Sequence, residues 1–138
     1  MSFDVIKQPF HSLERGWTLV NCALTVGSTG AVTAVSGKRF ATDGTATGSL
    51  GGIARDSEAV YTVTLPGTGG LQEIIPLTPV IVDGTAATDA RVAICTARSA
   101  SARTVTWTFL SLDTPGVSEL SSGGVVEFQF LVRDSSVS

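Results

Sequence analysis

The chain has 138 residues, a length that suits one domain with one core. Its formal net charge is −3 and Lys38-Arg39 is the only adjacent basic pair, which argues against nucleic acid as a partner, because nucleic acid selects basic surfaces; no apolar run approaches the roughly 20 residues that span a bilayer. Only 15% of the residues are charged, against about 25% in ordinary domains, and a surface this short of charge is expected to be hidden in part within an oligomer or larger assembly.

Residues 1–15 carry Phe3, Val5, Ile6, Phe10 and Leu13 without a regular period, and Pro9 interrupts both a helix and a central strand. They read as an N-terminal arm whose apolar side chains need a partner. The start lacks a basic region followed by an apolar core, so no signal peptide is expected. Residues 16–138 read as a single domain. Trp17 to Val26 (WTLVNCALTV) predicts a strand in which Val20, Cys22, Leu24 and Val26 share one side and Trp17 breaks phase. After Gly27-Ser28-Thr29-Gly30, Ala31 to Val35 predicts a second strand. The Gly-rich stretch from Ala41 to Gly52 reads as turn or loop, and Ile53-Ala54 as the start of a short strand.

Glu58 to Leu65 alternates cleanly, with Ala59, Tyr61, Val63 and Leu65 on one face. Leu71 to Val82 is rich in Ile, Leu and Val, but Pro76 and Pro79 confine it to an edge or an extended crossing. Arg91 to Thr96 predicts a strand with Val92, Ile94 and Thr96 in phase and Cys95 on the other side. In Arg103 to Leu112, Val105, Trp107 and Phe109 alternate with Thr104, Thr106 and Thr108. In Val125 to Arg133, Val126, Phe128, Phe130 and Val132 face inward, leaving Val125 and Leu131 on the outer side as apolar residues that need cover. No stretch keeps a helical period. Short strands with Gly/Pro turns predict an all-β, antiparallel sandwich or jelly roll whose best-patterned strands share one core.

Residues able to do chemistry are sparse. His11, the only histidine, lies in the arm, and no G-x-S-x-G accompanies it. Cys22 and Cys95 form no C-x-x-C and lack further ligands for a metal. Asp83 and Asp89 bracket a stretch that lacks the full oxygen-ligand pattern of a calcium loop and reads as a hairpin turn. The other carboxylates fall at turns or outward strand positions. The expectation is a protein without catalytic residues, metal or cofactor.

The order of Gly52-Ile53-Ala54-Arg55, the AVYTVTL run from Ala59, the VTWTF run from Val105 and the VVEFQFLVR run from Val125 resembles the small all-β head decoration, or cement, proteins of tailed bacteriophages. That resemblance implies a non-enzymatic virion protein on the capsid surface, made in the host cytoplasm. It also implies a homo-oligomer, with a trimer favoured, seated on the major capsid protein through loops and an N-terminal arm. The contact candidates are Phe3, Val5, Ile6, Phe10, Leu13, Trp17, Ile74, Ile75, Leu77, Val80, Val125 and Leu131. The alternative is a receptor- or carbohydrate-binding sandwich from a phage tail fibre, which would present Trp17 to a glycan.

Overall fold

A computed structural model describes residues 17–37, 52–67, 69–82 and 91–134. The arm, with Phe3, Val5, Ile6, Phe10, His11 and Leu13, lies outside the described residues, as do Asp83 and Asp89. The described chain is nearly all strand: β1 (Trp17–Val26), β2 (Val32–Gly37), β3 (Gly52–Ser57), β4 (Val60–Thr64), β5 (Leu71–Pro76), β6 (Val80–Val82), β7 (Arg91–Ser99), β8 (Thr104–Ser111) and β9 (Val125–Asp134). They form two antiparallel sheets packed face to face, the sandwich that the alternating pattern predicts. The first sheet has the order β2-β1-β9-β5, with β6 also pairing β9; the second has the order β3-β4-β8-β7.

The first and last strands lie side by side in the middle of the first sheet. Trp17 pairs with Arg133, and the ladder runs without a break to Thr25 and Val125. The proline-rich stretch is divided: β5 and β6 pair in turn with β9, β5 ending at Pro76 and β6 starting just after Pro79, which keeps both prolines at the edge where a missing N–H costs no internal ladder bond.

One core fills the space between the sheets. Tyr61, Val63, Val105 and Phe109 of the second sheet and Leu24, Val126, Phe128 and Phe130 of the first are fully buried in it. Trp107 meets Phe128 across the sandwich at 6.3 Å between ring centroids, and Tyr61 meets Phe109 edge-on at 5.7 Å. Leu120, from the long β8–β9 connection, closes one side of this core. The inward faces expected for β4, β8 and β9 are therefore those observed.

Strand β7 departs from its apolar pattern. Cys95 pairs with Trp107 and Ala93 with Phe109, so the small residues face the core. Ile94 pairs with Thr108 on the outer face and is 44% exposed. The facing aromatics already occupy the interior, and only small side chains fit beneath them on this edge strand. A bulge between Cys95 and Ala97 then shifts the register.

Replacing Phe128 with Ala removes a ring stacked on Phe130 and tilted against Trp107. Urea unfolding is expected to show a loss of about 3–5 kcal/mol; a loss below about 1 kcal/mol contradicts this packing.

Candidate interaction surface

Two polar clasps hold the sandwich. At one end the Glu119 carboxylate gathers three segments. Arg55 of β3 donates to Oε2 through Nη2 (2.5 Å) and Nε (3.2 Å). The Ala59 N–H, at the β3–β4 turn, donates to Oε1 at 3.2 Å. The Tyr61 hydroxyl, with one proton, lies within reach of two acceptors: the Gly30 carbonyl at 2.5 Å and Glu119 Oε1 at 3.0 Å. Gly30 belongs to the β1–β2 turn and Glu119 to the β8–β9 connection, so this cluster ties the two sheets together. Partial burial pushes the Glu119 carboxyl up, but the bonds from Arg55, Tyr61 and Ala59 outweigh it and hold the group below its ordinary value. Burial, then the bond and charge of Glu119, push the Tyr61 phenol up. It stays protonated.

Gly30 is required there on two counts. Its φ is +76°, a left-handed conformation, and a Cβ would lie 2.2 Å from the Glu119 carboxylate. At the opposite end, Arg103 wraps the turn after β4, donating to the carbonyls of Leu65, Pro66 and Gly69. Both clasps turn their hydrogen-bonding groups onto the protein itself. Among the described residues no group of three or more His, Cys, Asp or Glu could hold a metal ion. Cys22 and Cys95 are free thiols. Burial pushes Cys22 up to about 12, so it stays neutral.

The outer faces of the two sheets differ. On the second sheet, Thr62 pairs with Thr106 and Thr64 with Thr104. The Thr62 and Thr106 hydroxyls meet at 3.0 Å, Thr96 and Thr108 at 3.2 Å, and Thr62 also donates to Asp56. This face spends many of its hydroxyls on itself.

The outer face of the first sheet reads as rows across the strands. Glu73, Arg133 and Trp17 form one row; Ile75, Leu131 and Leu19 form the next. Gln129 and Asn21 follow, then Val80, Glu127, Ala23 and Ser36, then Val82, Val125, Thr25 and Ala34. Leu19 is 48% exposed, Val80 55% and Val82 51%. Two apolar rows thus bracket a polar band that contains a hollow of about 350 Å³, lined by Asn21, Ala23, Ser36, Glu127 and Gln129 with backbone beneath. Small Ala23 makes the dip between longer neighbours.

The structure brings together Trp17, Ile75, Val80, Val125 and Leu131 on this face. Leu77 lies half-buried beside it, its N–H donating to the Gln129 carbonyl at 3.0 Å. Ile74 does not join them: it pairs with Val132 on the inner side and is 2% exposed, a core residue rather than a contact candidate. Leu19 and Val82 belong to the face and were not singled out by the sequence; their shared parity with Trp17 and Val80 is the signal that finds them. No family model matches the chain, and no curated protein or solved structure matches it.

Two substitutions test the Glu119 clasp. A carboxyl held low stabilises the fold fully above its unfolded value of about 4.3, and that stabilisation is lost as pH falls through the lower folded value. Glu119→Gln is therefore expected to lower the melting temperature at pH 7 and to flatten its fall between about pH 5 and 3; an unchanged acid limb contradicts the clasp. Gly30→Ala is expected to cost more than about 1 kcal/mol by chemical denaturation, from strain at positive φ and displacement of the carboxylate; a neutral effect contradicts the close approach.

Proposed function

We propose that this protein is a non-enzymatic virion structural protein that assembles as a homo-oligomer, with three-fold symmetry favoured, and decorates a phage capsid across its subunits. The observation that carries the reading is the outer face of the first sheet, where exposed Leu19 and half-buried Leu131 and Ile75 form an apolar row in a chain poor in charge. A soluble monomer rarely leaves such rows open, and a rim of Glu73, Arg133, Glu127 and Gln129 around them suits a protein contact. The self-bonded threonine face and the clasps at both ends supply a rigid body on which that face is presented. The resemblance of the sequence runs beginning at Gly52, Ala59, Val105 and Val125 to decoration proteins points the same way.

The mechanism is linkage. A module that binds the assembled lattice and not its separate subunits stabilises the lattice in proportion to its occupancy. An oligomer spanning several subunits raises the effective concentration of each further contact, so individually weak contacts hold. A closed cyclic oligomer fits a symmetry axis of the shell.

The full chain is expected to run as an oligomer by light scattering at micromolar concentration and to co-sediment with undecorated phage capsids. Leu131→Lys, which places a charge within the apolar row, is expected to weaken self-association at least tenfold while leaving the melting temperature within a few degrees. A monomeric full chain that responds on a glycan array, and loses the response in Trp17→Ala, overturns the reading in favour of the carbohydrate-binding alternative.

A further inference from the structure

We propose that the stretch between Ser118 and Gly123 is an acid-released strap: protonation of Glu119 lets it lift from the end of the sandwich and uncover Leu120 while both sheets stay folded. This does not depend on what the protein binds. The strap is anchored at both ends by main-chain bonds. The Ser118 N–H donates to the Phe109 carbonyl at 3.0 Å, and the Gly123 N–H to the Val26 carbonyl at 2.7 Å. Between these anchors, among the described residues, only the Glu119 carboxylate ties residues 119–122 to the sandwich by hydrogen bonds. The Ser121 carbonyl accepts from Gly124 at 3.0 Å, a bond within the same connection. Leu120 supplies the one large apolar side chain; it is 5% exposed and lies in a narrow cleft with Val26, Ile81 and Val126. Ser122 and Gly123 are exposed. Gly123 has a φ of +84° and open space where a Cβ would stand, so the chain turns there unhindered. One carboxylate and one leucine thus hold the strap shut between two fixed points.

A proton acts on this strap and not on the sheets. It removes the charge that strengthens the bonds from Arg55. A neutral carboxyl also carries a hydrogen of its own, which on Oε2 faces the Arg55 donors and on Oε1 the Ala59 N–H. The freed groups have access to water: the Arg55 and Glu119 side chains are 33% and 21% exposed. Tyr61 keeps an acceptor in the Gly30 carbonyl at 2.5 Å, so its tie to the β1–β2 turn survives. The titratable and charged groups around the carboxyl are Arg55 from β3, Tyr61 from β4 and, one residue along the strap, Arg91 of β7, which donates to the Ser118 hydroxyl at 3.1 Å. The β1–β2 turn contributes none. Asp56 accepts from Thr62, and Glu58 at the β3–β4 turn is exposed. Among the described residues no charged side chain is buried in the core, so acid has nothing to protonate there. With its carboxyl held below the ordinary value, the strap stays shut at neutral pH and opens as pH falls below about 4.3. A general loss of stability in acid unfolds both sheets together, whereas the strap opens before them.

Hydroxyl-radical footprinting of the full chain at pH 7 and at about pH 3.5, below the ordinary glutamate value, separates the two. Leu120 is expected to be labelled at least threefold more at the lower pH, with Phe128 and Phe130 as protected as before. Glu119→Gln is expected to label Leu120 at pH 7 to the acid level and to lose the pH response, whereas Glu58→Gln at the neighbouring turn keeps it. A Leu120 that stays protected until Phe128 and Phe130 are labelled with it overturns the strap, as does an acid response that survives Glu119→Gln. The titration of the unaltered protein decides even where a variant fails to fold.

Discussion

The pairing of β1 with β9 is the constraint on which the rest of the molecule depends. It joins the first and last strands of the sandwich through an unbroken ladder from Trp17–Arg133 to Thr25–Val125. Strand β9 then carries β5 and β6 on its other edge. Its inward side supplies Phe128, against which Trp107 of the facing sheet packs, and Phe130, stacked on Phe128. The first sheet has no centre without this ladder, and the second has nothing to cover its aromatic side. The contact closes a loop of about a hundred residues, so its entropic cost is met only when the hydrophobic core forms with it. This favours cooperative folding of both sheets over stepwise addition.

The same ladder creates the outer surface. Because strand side chains alternate, placing Phe128, Phe130 and Val132 inside forces Gln129, Leu131 and Arg133 outside, beside Asn21, Leu19 and Trp17. Apolar residues on that second side add nothing to the core. Their presence in a chain with few charges is what gives the surface meaning. The second sheet has the same architecture and a different outer side: threonines suited to a pleated surface, with hydroxyls bonded across strands. A single sandwich thus presents one self-satisfied face and one with apolar rows.

Much of this was legible in the sequence where a strict period of two met large apolar residues. The inner faces of β4, β8 and β9 follow from that alone, and Val125 and Leu131 stood out because they break the period. Ile74 and Ile75 were ambiguous because adjacent apolar residues must face opposite ways, and only the register with Val132 and Leu131 decides between them. Strand β7 misled because Ile94 is its most apolar residue, while the room left under Trp107 and Phe109 admits Cys95 and Ala93 instead. The Glu119 clasp was invisible because it joins residues about sixty or more positions apart from Arg55, Ala59 and Tyr61 and a glycine whose role is to make way. No local pattern encodes a contact of that kind.

The central claim is that the outer face of the first sheet is where neighbouring molecules meet. Hydroxyl-radical footprinting of the assembled protein against the same protein diluted to dissociation measures this directly. Trp17, Leu19, Ile75 and Leu131 should be labelled severalfold less in the assembly, while Ile94 on the opposite face is labelled equally in both. Equal labelling of the first four, or protection confined to Ile94, contradicts the account.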